Sequence, residues 1–341
     1  MHLKAVVSNN IYSFGNGIEV TTSLVTGGAG FIGSHLVRAL LARGDHVRVF
    51  DNFSTGRRSN LEGLDIDLRE GDLRDRHQVR DSVQGVDRIF HQAAFVSVPQ
   101  SMEEPQACFD TNIIGTQNLL EAARQAGVSK MVMASSSAVY GDSPNIPLQE
   151  DEPLCSLSPY AASKQIGEVL TGVYSRAFGM QVTALRYFNV YGERQSPFSA
   201  YAAVIPIFIK RLLDGKPPVV YGDGGQKRDF VYAEDVARAN IMASETPQAG
   251  GQVFNVCSGN EISVLDLLHI IETILLNPTP DMKRKMFPYS HLPEPRFEPA
   301  RSGDIYRSMG DPSRAEKVLG FSPDIDLKNG LIHTIEEIIG I

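Results

Sequence analysis

Residues 26–33 read Thr26-Gly-Gly-Ala-Gly-Phe-Ile-Gly33 and follow directly on a short apolar segment. Apolar residues then recur at helical spacing, so the sequence predicts a strand, a glycine turn and a helix in succession. Gly27 permits a tight turn, Gly30 lets a ligand approach the backbone, and Gly33 allows the helix to pack closely on the strand. Because the start of a helix offers N–H donors and a positive dipole, the stretch predicts a cradle for a phosphate-containing ligand.

Short β-branched segments alternate with helical patterns from about Ser23 to Val190, which is typical of a parallel sheet covered on both faces. The strand candidates are Leu24–Thr26, His46–Asp51, Arg88–Ala94, Lys130–Ser135 and Val182–Phe188. We therefore predict an α/β fold, with a doubly wound, mostly parallel Rossmann sheet and a smaller mixed α/β lobe. Residues 23–188 and 229–257 are assigned to the Rossmann domain, residues 189–228 and 258–341 to the smaller lobe, and residues 1–22 to an extension of unknown role.

Composition excludes several classes of function. The formal net charge is −8, which argues against a protein that binds nucleic acid or an anionic membrane through bulk charge. The three cysteines lie far apart and lack metal-ligand spacing, so neither a disulfide framework nor a metal site is expected. No apolar run approaches the length of a membrane span, and we expect a cytoplasmic protein.

An acidic residue indicates which dinucleotide the glycine cradle holds. Asp51 ends the second predicted strand, 21 residues beyond Gly30, where a carboxylate accepts hydrogen bonds from an adenosine ribose. A carboxylate repels a 2′-phosphate, so the sequence favours NAD as the cofactor over NADP. Arg57 and Arg58 leave NADP as an alternative, because a nearby arginine can receive that phosphate.

A second group of residues has the chemistry of proton transfer. Residues 158–164 read as a helix start with Ser158 as N-cap, which places Tyr160 and Lys164 on one face. An ammonium one turn away and an oxidised nicotinamide both favour the phenolate, so Tyr160 is a candidate base. The serines at positions 135–137 end a predicted central strand, where open α/β sheets bind ligands. Taken singly, each pattern also fits an ordinary helix face or turn.

Together these motifs resemble the extended short-chain dehydrogenase/reductases, and among them the nucleotide-sugar 4-epimerases, in particular the subgroup acting on UDP-N-acetylglucosamine. The resemblance covers about residues 23–330, with the motifs in family order. It implies that Ser136 is the catalytic hydroxyl beside Tyr160 and Lys164. The positions that it assigns to NAD binding are Gly27, Gly30, Phe31, Ile32, Gly33, Asp51, Asn52, Ser54, Thr55, Gly56, Asp72, Leu73, Gln92, Ala93, Ala94, Tyr160, Lys164 and Tyr187.

The reaction within this family is predicted from the acidic residues that positions 137 and 138 lack. Related 4,6-dehydratases carry an Asp-Glu pair where this chain has Ser137 and Ala138, and related decarboxylases carry a Glu at the second position. Dehydration needs that extra acid and base, so epimerisation is favoured. The predicted reaction is reversible 4-epimerisation of UDP-N-acetylglucosamine and UDP-N-acetylgalactosamine, and of UDP-glucose and UDP-galactose, by hydride transfer to bound NAD and return to the opposite face of a 4-keto sugar.

The resemblance also implies a UDP-sugar site in the smaller lobe. The planar guanidinium group of arginine suits phosphate oxygens. The resemblance places Arg228, Arg301 and Asn189 at the diphosphate. Asp304 is expected at the uridine ribose, and Ser308 replaces a bulky tyrosine, leaving space for an N-acetyl group. The full set of expected substrate residues is Ser97, Ser137, Asn189, Gln195, Ala203, Val204, Val219, Tyr221, Arg228, Arg301, Asp304 and Ser308.

Several alternatives stay open at this point. Val96 stands where a smaller residue is expected, and Arg194 or another cation can face a uronate. UDP-glucuronate 4-epimerase is therefore one alternative and UDP-glucose 4-epimerase another. A keto-sugar reductase and a non-catalytic dinucleotide sensor are further alternatives, although a sensor has no need for Tyr160 and Lys164. The resemblance implies a homodimer formed by helices near Asp110–Arg124 and Pro159–Phe178.

Overall fold

The structure, a computed structural model, describes residues 21–197, 203–285, 289–300 and 305–341. Its strands in chain order are β1 (Thr22–Thr26), β2 (His46–Asp51), β3 (Asp67–Glu70), β4 (Arg88–His91), β5 (Lys130–Ser136), β6 (Gln181–Tyr187), β7 (Asn189–Tyr191), β8 (Val219–Tyr221), β9 (Lys227–Tyr232), β10 (Val253–Val256), β11 (Glu261–Ser263), β12 (Arg296–Glu298) and β13 (Arg307–Ser308).

The α-helices are α1 (Phe31–Ala42), α2 (Arg76–Ser82), α3 (Val98–Glu103), α4 (Pro105–Phe109), α5 (Thr116–Gln125), α6 (Pro159–Phe178), α7 (Val204–Leu213), α8 (Ala233–Glu245), α9 (Val264–Leu276), α10 (Met282–Lys285), α11 (Ser313–Leu319) and α12 (Leu327–Ile338). A π-helical segment, Asp110–Gly115, joins α4 to α5, and 3₁₀ turns occupy Arg58–Leu61, Ser137–Tyr140 and Pro247–Ala249.

The main sheet runs in the order β10-β6-β5-β4-β1-β2-β3, and every pair in it is parallel. The chain leaves β1 toward β2 and β3 and then crosses back to β4, so the strand order reverses between β1 and β4. This confirms the doubly wound α/β fold. In such sheets the crevice at the carboxyl ends beside the reversal is where ligands bind.

Strand β1 shows why the sheet needs helices on both faces. Successive side chains of a strand point to opposite faces. Val25 packs in a core with residues of α1 and α8, such as Leu36 and Val236. Leu24 packs in a second core with residues of α2, α5 and α6, such as Leu119. Both strand residues are fully buried, so β1 lies at the centre of the domain and ends at the glycine stretch.

Two strands of the main sheet are absent from the sequence prediction. Strand β3 reads Asp-Leu-Arg-Glu and lies at one edge with most of its side chains exposed, so it lacks the apolar pattern that identifies buried strands. Strand β10 has only four residues and forms the other edge. The other five match the predicted strands to within a few residues, with β4 ending at His91 rather than Ala94.

A second, mixed group of strands follows β6. Strand β9 pairs in parallel with β7 and β13 and antiparallel with β11, and β8 pairs in parallel with β12. Helices α7, α9 and α12 share a separate apolar core with this region, including Phe208, Ile271 and Ile335. These elements fit the smaller mixed α/β lobe, while the residue boundaries of the two domains stay a prediction.

Candidate active site

The glycine stretch forms a tight turn at the carboxyl end of β1. Gly27 has φ +69°, and a Cβ there would lie 2.6 Å from the backbone N of Ala93. A Cβ on Gly33 would lie 2.1 Å from the carbonyl O of Gly27. Only glycine fits at these two positions, and the first turn of α1 is thereby pressed against the end of β1.

The start of α1 is the part of this turn that suits an anion. Gly30 is its N-cap, and no side chain from the described residues caps the helix. The first N–H groups of an α-helix have no partner within the helix, so they remain available as donors. Among the described residues, a Cβ on Gly30 would meet only the Gly27 carbonyl O at 3.1 Å, so these residues leave the space above the turn open to a ligand. These features fit the pyrophosphate of a dinucleotide.

Asp51 lies at the carboxyl end of β2, beside the glycine turn. Its buried carboxylate accepts hydrogen bonds from the backbone N of Ala29 (2.9 Å) and of Phe53 (2.8 Å). Burial raises the pKa of Asp51, and the two N–H donors partly offset that effect. Each oxygen takes one hydrogen bond here and retains acceptor capacity for a ribose hydroxyl.

The two arginines that left NADP open differ in their surroundings. Arg58 forms an ion pair with Glu70, and its guanidinium lies 4.1 Å from the centre of the Phe53 ring. The backbone N of Arg57 donates to the carbonyl O of Ala29. Arg58 is therefore directed to β3 and to Phe53, which disfavours its use for a 2′-phosphate.

The residues expected around adenine and nicotinamide lie at the same edge of the sheet. Asn52 donates to the carboxylate of Asp72 at 3.0 Å, and Arg74 pairs with that carboxylate and lowers the pKa of Asp72. On the other side of β1, the Tyr187 hydroxyl hydrogen-bonds to Gln92 and to Asn240 of α8. The hydroxyl of Tyr187 is thus held by protein groups, and only its ring is left to contact a cofactor.

Tyr160 and Ser136 meet at the carboxyl end of β5. Ser158 caps α6 through a hydrogen bond to the backbone N of Ala161, as the sequence predicts, and Tyr160 lies in the first turn. Burial raises the pKa of Tyr160, and the nearby hydroxyl of Ser136 partly offsets that effect. A phenol beside a serine hydroxyl can exchange a proton with a sugar hydroxyl once the phenol is ionised.

Lys164 lies one turn beyond Tyr160 and is buried. Its Nζ donates to the carbonyl O of Ala134 at 2.9 Å and lies 5.9 Å from the centre of the Tyr160 ring. Burial lowers the pKa of Lys164 to about 8, with Cys108 and Glu168 opposing the shift. Burial is the largest influence on the pKa of Tyr160 in the protein alone, and it opposes the effect predicted for the ammonium and the oxidised nicotinamide.

Three of the expected substrate residues share the small sheet. Asn189 on β7 donates through Nδ2 to the carbonyl O of Asp229 at 2.9 Å. Arg228 lies on β9, and Ser308 pairs with it from β13. The carboxylate of Asp229 is buried and accepts from Ser258 and from the backbone N atoms of Gly259 and Gly310. These hydrogen bonds fix the strand that carries Arg228.

The remaining substrate positions are spread over loops and element ends. Ser97 caps α3 through the backbone N of Gln100, Ser137 begins a 3₁₀ turn, and Gln195 donates to the carbonyl O of Val190. Ala203 and Val204 begin α7, while Val219 and Tyr221 lie on β8. Arg301 and Asp304 lie outside the described residues.

A family model for the NAD dependent epimerase/dehydratase family matches residues 23–257. The chain belongs to this family. A curated relative, the putative UDP-glucose 4-epimerase of Methanocaldococcus jannaschii, is 40% identical over 313 residues, which cover 90% of this chain and 95% of the relative.

Solved structures of similar proteins agree with this family. The UDP-N-acetylglucosamine 4-epimerase of Methanobrevibacter ruminantium, in complex with UDP-N-acetylmuramic acid, has a TM-score of 0.86 and 36% identity, covering 94% of this chain and 99% of that chain. The Thermus thermophilus UDP-glucose 4-epimerase complex with NAD has a TM-score of 0.82 and 37% identity, with the same coverage of both chains.

NAD is therefore the cofactor of this epimerase/dehydratase family member, as Asp51 predicts. The matched residues include the glycine stretch, Asp51, Tyr160 and Lys164. None of the helices in the described ranges is long and apolar enough to cross a membrane. The same ranges contain no group of three His, Cys, Asp or Glu residues placed to hold a metal ion.

A buried polar network that the sequence motifs do not indicate lies behind the serines of this family member. Ser135 donates to Glu168 at 2.5 Å, and Arg186 holds both oxygens of Glu168 at 2.9 and 2.8 Å. Arg186 also donates to the hydroxyl of Tyr140 at 2.8 Å. Polar residues at buried positions of a predicted helix and strand were the available signal, since such groups are seldom buried unpaired.

A second missed residue braces the loop before α3. Asn112, in the π-helical segment, accepts from the backbone N of Phe95 at 2.7 Å and donates to its carbonyl O at 3.0 Å. It also donates to Ser163 at 2.9 Å, and Ser163 donates to the carbonyl O of Tyr160 at 2.7 Å. Asn112 therefore joins the loop that leads to Ser97 to the helix of Tyr160. Its one sequence signal is a polar residue beside two isoleucines.

Proposed function

We propose that the chain is an NAD-dependent UDP-sugar 4-epimerase that interconverts UDP-N-acetylglucosamine and UDP-N-acetylgalactosamine, and also UDP-glucose and UDP-galactose. The observation that carries the proposal is the meeting of Tyr160, Ser136 and Lys164 at the carboxyl edge of the sheet, next to positions 137 and 138 that hold no carboxylate. The similar proteins named as 4-epimerases support it.

Each of the three side chains has one role in the proposed reaction. NAD, when bound, supplies the oxidising and reducing equivalents at C4. Tyr160 takes the proton from the 4-hydroxyl and later returns it, while Ser136 orients that hydroxyl. Lys164 places a positive charge near Tyr160, which favours the ionised phenol. A 4-keto sugar forms between the two proton transfers.

The nearby carboxylate is unsuited to a dehydration step. Glu168 lies close to the serines, but Arg186 holds both of its oxygens and the pair is buried. Ser135 and Arg186 occupy the oxygens of this carboxylate, so Glu168 is poorly placed to exchange protons with a substrate. Elimination of water needs an acid and a base besides Tyr160, so the geometry favours epimerisation.

Epimerisation also requires an anchored nucleotide and a hexose that is free to turn. We assign Arg228 and Asn189 to the diphosphate, with Arg301 and Asp304 completing the nucleotide site. Ser308 pairs with Arg228 in the small sheet, and its small side chain leaves space for an N-acetyl group at C2. The other predicted cofactor and substrate residues keep the roles given to them from the sequence.

The alternative of a UDP-glucuronate epimerase loses one of its supports. That alternative rested on Val96 and on Arg194 or another cation facing the uronate carboxylate. In the structure, Nε of Arg194 donates to Ser34 of α1 at 2.9 Å, so the guanidinium is directed to the cofactor-binding helix. No comparable observation favours a net reductase.

The experiment is an incubation with UDP-N-acetylglucosamine alone. NMR monitors the reaction, to which no reductant is added. The expected result is conversion to the galacto isomer with no net formation of NADH. The reaction should reach the same final mixture from UDP-N-acetylgalactosamine. Turnover of UDP-glucose without turnover of either N-acetylated sugar would contradict the substrate assignment, and accumulation of a keto sugar would contradict epimerisation.

A further inference from the structure

A strained residue follows β7. Arg194 has φ +65°, a left-handed conformation that a residue with a Cβ adopts at a cost. Such residues persist where the surrounding contacts hold them in place, and they concentrate at functional sites. The contacts of Arg194 therefore show what the strain maintains.

The side chain of Arg194 reaches the first turn of α1. Its Nε donates to Oγ of Ser34 at 2.9 Å, and that hydroxyl donates to the carbonyl O of Phe31 at 2.8 Å. Ser34 is fully buried, and its backbone N donates to the carbonyl O of Gly30, the N-cap. The guanidinium is thus linked through one hydroxyl to the turn that forms the pyrophosphate cradle.

The same turn of chain is fastened to α1 a second time. Burial, and then the charge of Arg194, lower the pKa of His35 to about 3, so its ring is neutral. Its Nε2 lies 2.9 Å from the carbonyl O of Glu193, and since a carbonyl can only accept, Nε2 carries the hydrogen. Ser34 and His35 together hold residues 193 and 194 against α1.

The opposite side of this turn is held by α12 and β9. The backbone N of Arg194 donates to the carboxylate of Glu337 on α12 at 2.7 Å. The hydroxyl of Tyr232, at the end of β9, donates to the carboxylate of Glu193 at 2.6 Å. Residues 193 and 194 therefore connect the cofactor-binding helix to two elements outside the main sheet.

We propose that Arg194 is a positioning residue for NAD retention: it fixes the first turn of α1 by joining it to α12, next to the contact of Glu193 with β9. Donors that are held in place bind an anion more tightly than donors that must first be ordered. The positive charge beside the first turn acts in the same direction as the helix dipole. This inference concerns the cofactor, so it does not rest on the identity of the sugar.

The test measures release of NAD in the absence of sugar. Arg194→Gly removes the guanidinium and keeps the left-handed backbone accessible, and the NAD-loaded protein is diluted and its bound NAD followed by mass spectrometry. We expect release about tenfold faster than in the wild type, the size of effect of one hydrogen bond from a charged donor. Arg194→Lys keeps the charge but lacks the planar guanidinium, so its rate of NAD release should lie between those of the wild type and Arg194→Gly.

The matched control is Arg80→Gln, which changes an exposed arginine on α2. This variant should release NAD at the rate of the wild type.

Two further measurements separate positioning from general destabilisation. Because glycine relieves the left-handed strain, the NAD-free Arg194→Gly protein should unfold at the same temperature as the wild type or higher. Ser34→Ala should also speed NAD release, and adding Arg194→Gly to it should produce little further change, since both act through one hydrogen bond. Unchanged release in Arg194→Gly, or additive effects of the two substitutions, would overturn the proposal. If the wild type has no epimerase activity but the variants release NAD as expected, the result would count against the proposed function alone.

Discussion

Ser308 on β13 pairs directly with Arg228 on β9. Residues that pair across neighbouring strands project from the same face of the sheet, so the side chain proposed to set sugar size lies beside the one proposed to hold the diphosphate. The residues one position earlier, Arg307 and Lys227, also pair, and both contact Glu261 on the opposite face. The small sheet therefore has one face assigned to substrate and one bound by ion pairs.

Ser308→Tyr should reduce kcat/KM for UDP-N-acetylglucosamine by about 10- to 200-fold, the range that a steric change in a pocket produces, and should spare UDP-glucose. The phenol would fill the space proposed for the N-acetyl group. Steady-state kinetics with both substrates measures the ratio. Arg307→Tyr is the matched control, because it adds the same ring one residue away on the other face. An equal loss for both sugars would refute the role of Ser308 in sugar size.

Ser136→Ala should move the acidic limb of the pH dependence of kcat to higher pH. The Ser136 hydroxyl lowers the pKa of Tyr160, so its removal raises that pKa, and a smaller fraction of Tyr160 is ionised at neutral pH. The loss of rate at pH 7, about 10²- to 10⁴-fold for loss of acid–base assistance, should be partly recovered in alkaline buffer.

Ser135→Ala is the control for that experiment. Ser135 donates to Glu168 rather than to Tyr160, so this variant should keep the position of the acidic limb. If both variants shift the limb equally, Ser136 has no special relation to Tyr160.

The three serines also show where sequence-based prediction ends. The sequence places all three at the end of one strand, and the family resemblance selects the middle one. The pleat of β5 directs Ser135 toward Glu168 and Ser136 toward Tyr160, but that difference depends on the register of the strand. The tight turn of the glycine stretch and the position of Asp51 beside it could be predicted, because both depend on local backbone geometry.

Long-range contacts could not be predicted in the same way. Arg194 contacts Ser34 across 160 residues of sequence, and neither residue carries a local pattern that indicates the other. Asn112 reaches Phe95 and Ser163 only because the π-helical segment packs between the loop and α6. Such side chains are identified by tertiary packing, while periodicity reports only which face of an element is buried.

Glu168→Gln should destabilise the protein strongly. The substitution leaves the buried guanidinium of Arg186 without its counter-charge, and breaking a buried pair from one side costs about 3 to 5 kcal/mol. Urea denaturation measures the change in the free energy of unfolding. Glu121→Gln removes an exposed partner of Arg124, and the same measurement should show a change below about 1 kcal/mol. A change below about 1 kcal/mol for Glu168→Gln as well would contradict this prediction.

We propose, as the family resemblance implies, that the protein is a homodimer through the helices near Asp110–Arg124 and α6 (Pro159–Phe178). Exposed apolar residues follow helical spacing on this helix at Ile166, Val169 and Val173, and exposed apolar surface of this kind marks interfaces. Val169, with 59% of its surface exposed, is the most exposed of the three, and a charge there would be buried in the interface. Val169→Glu should therefore convert the dimer to a monomer in sedimentation analysis. Leu276→Glu, at an exposed apolar residue of α9, should leave the sedimentation of the dimer unchanged. A monomeric wild-type protein would contradict the proposal directly, and a Val169→Glu dimer would place the interface elsewhere.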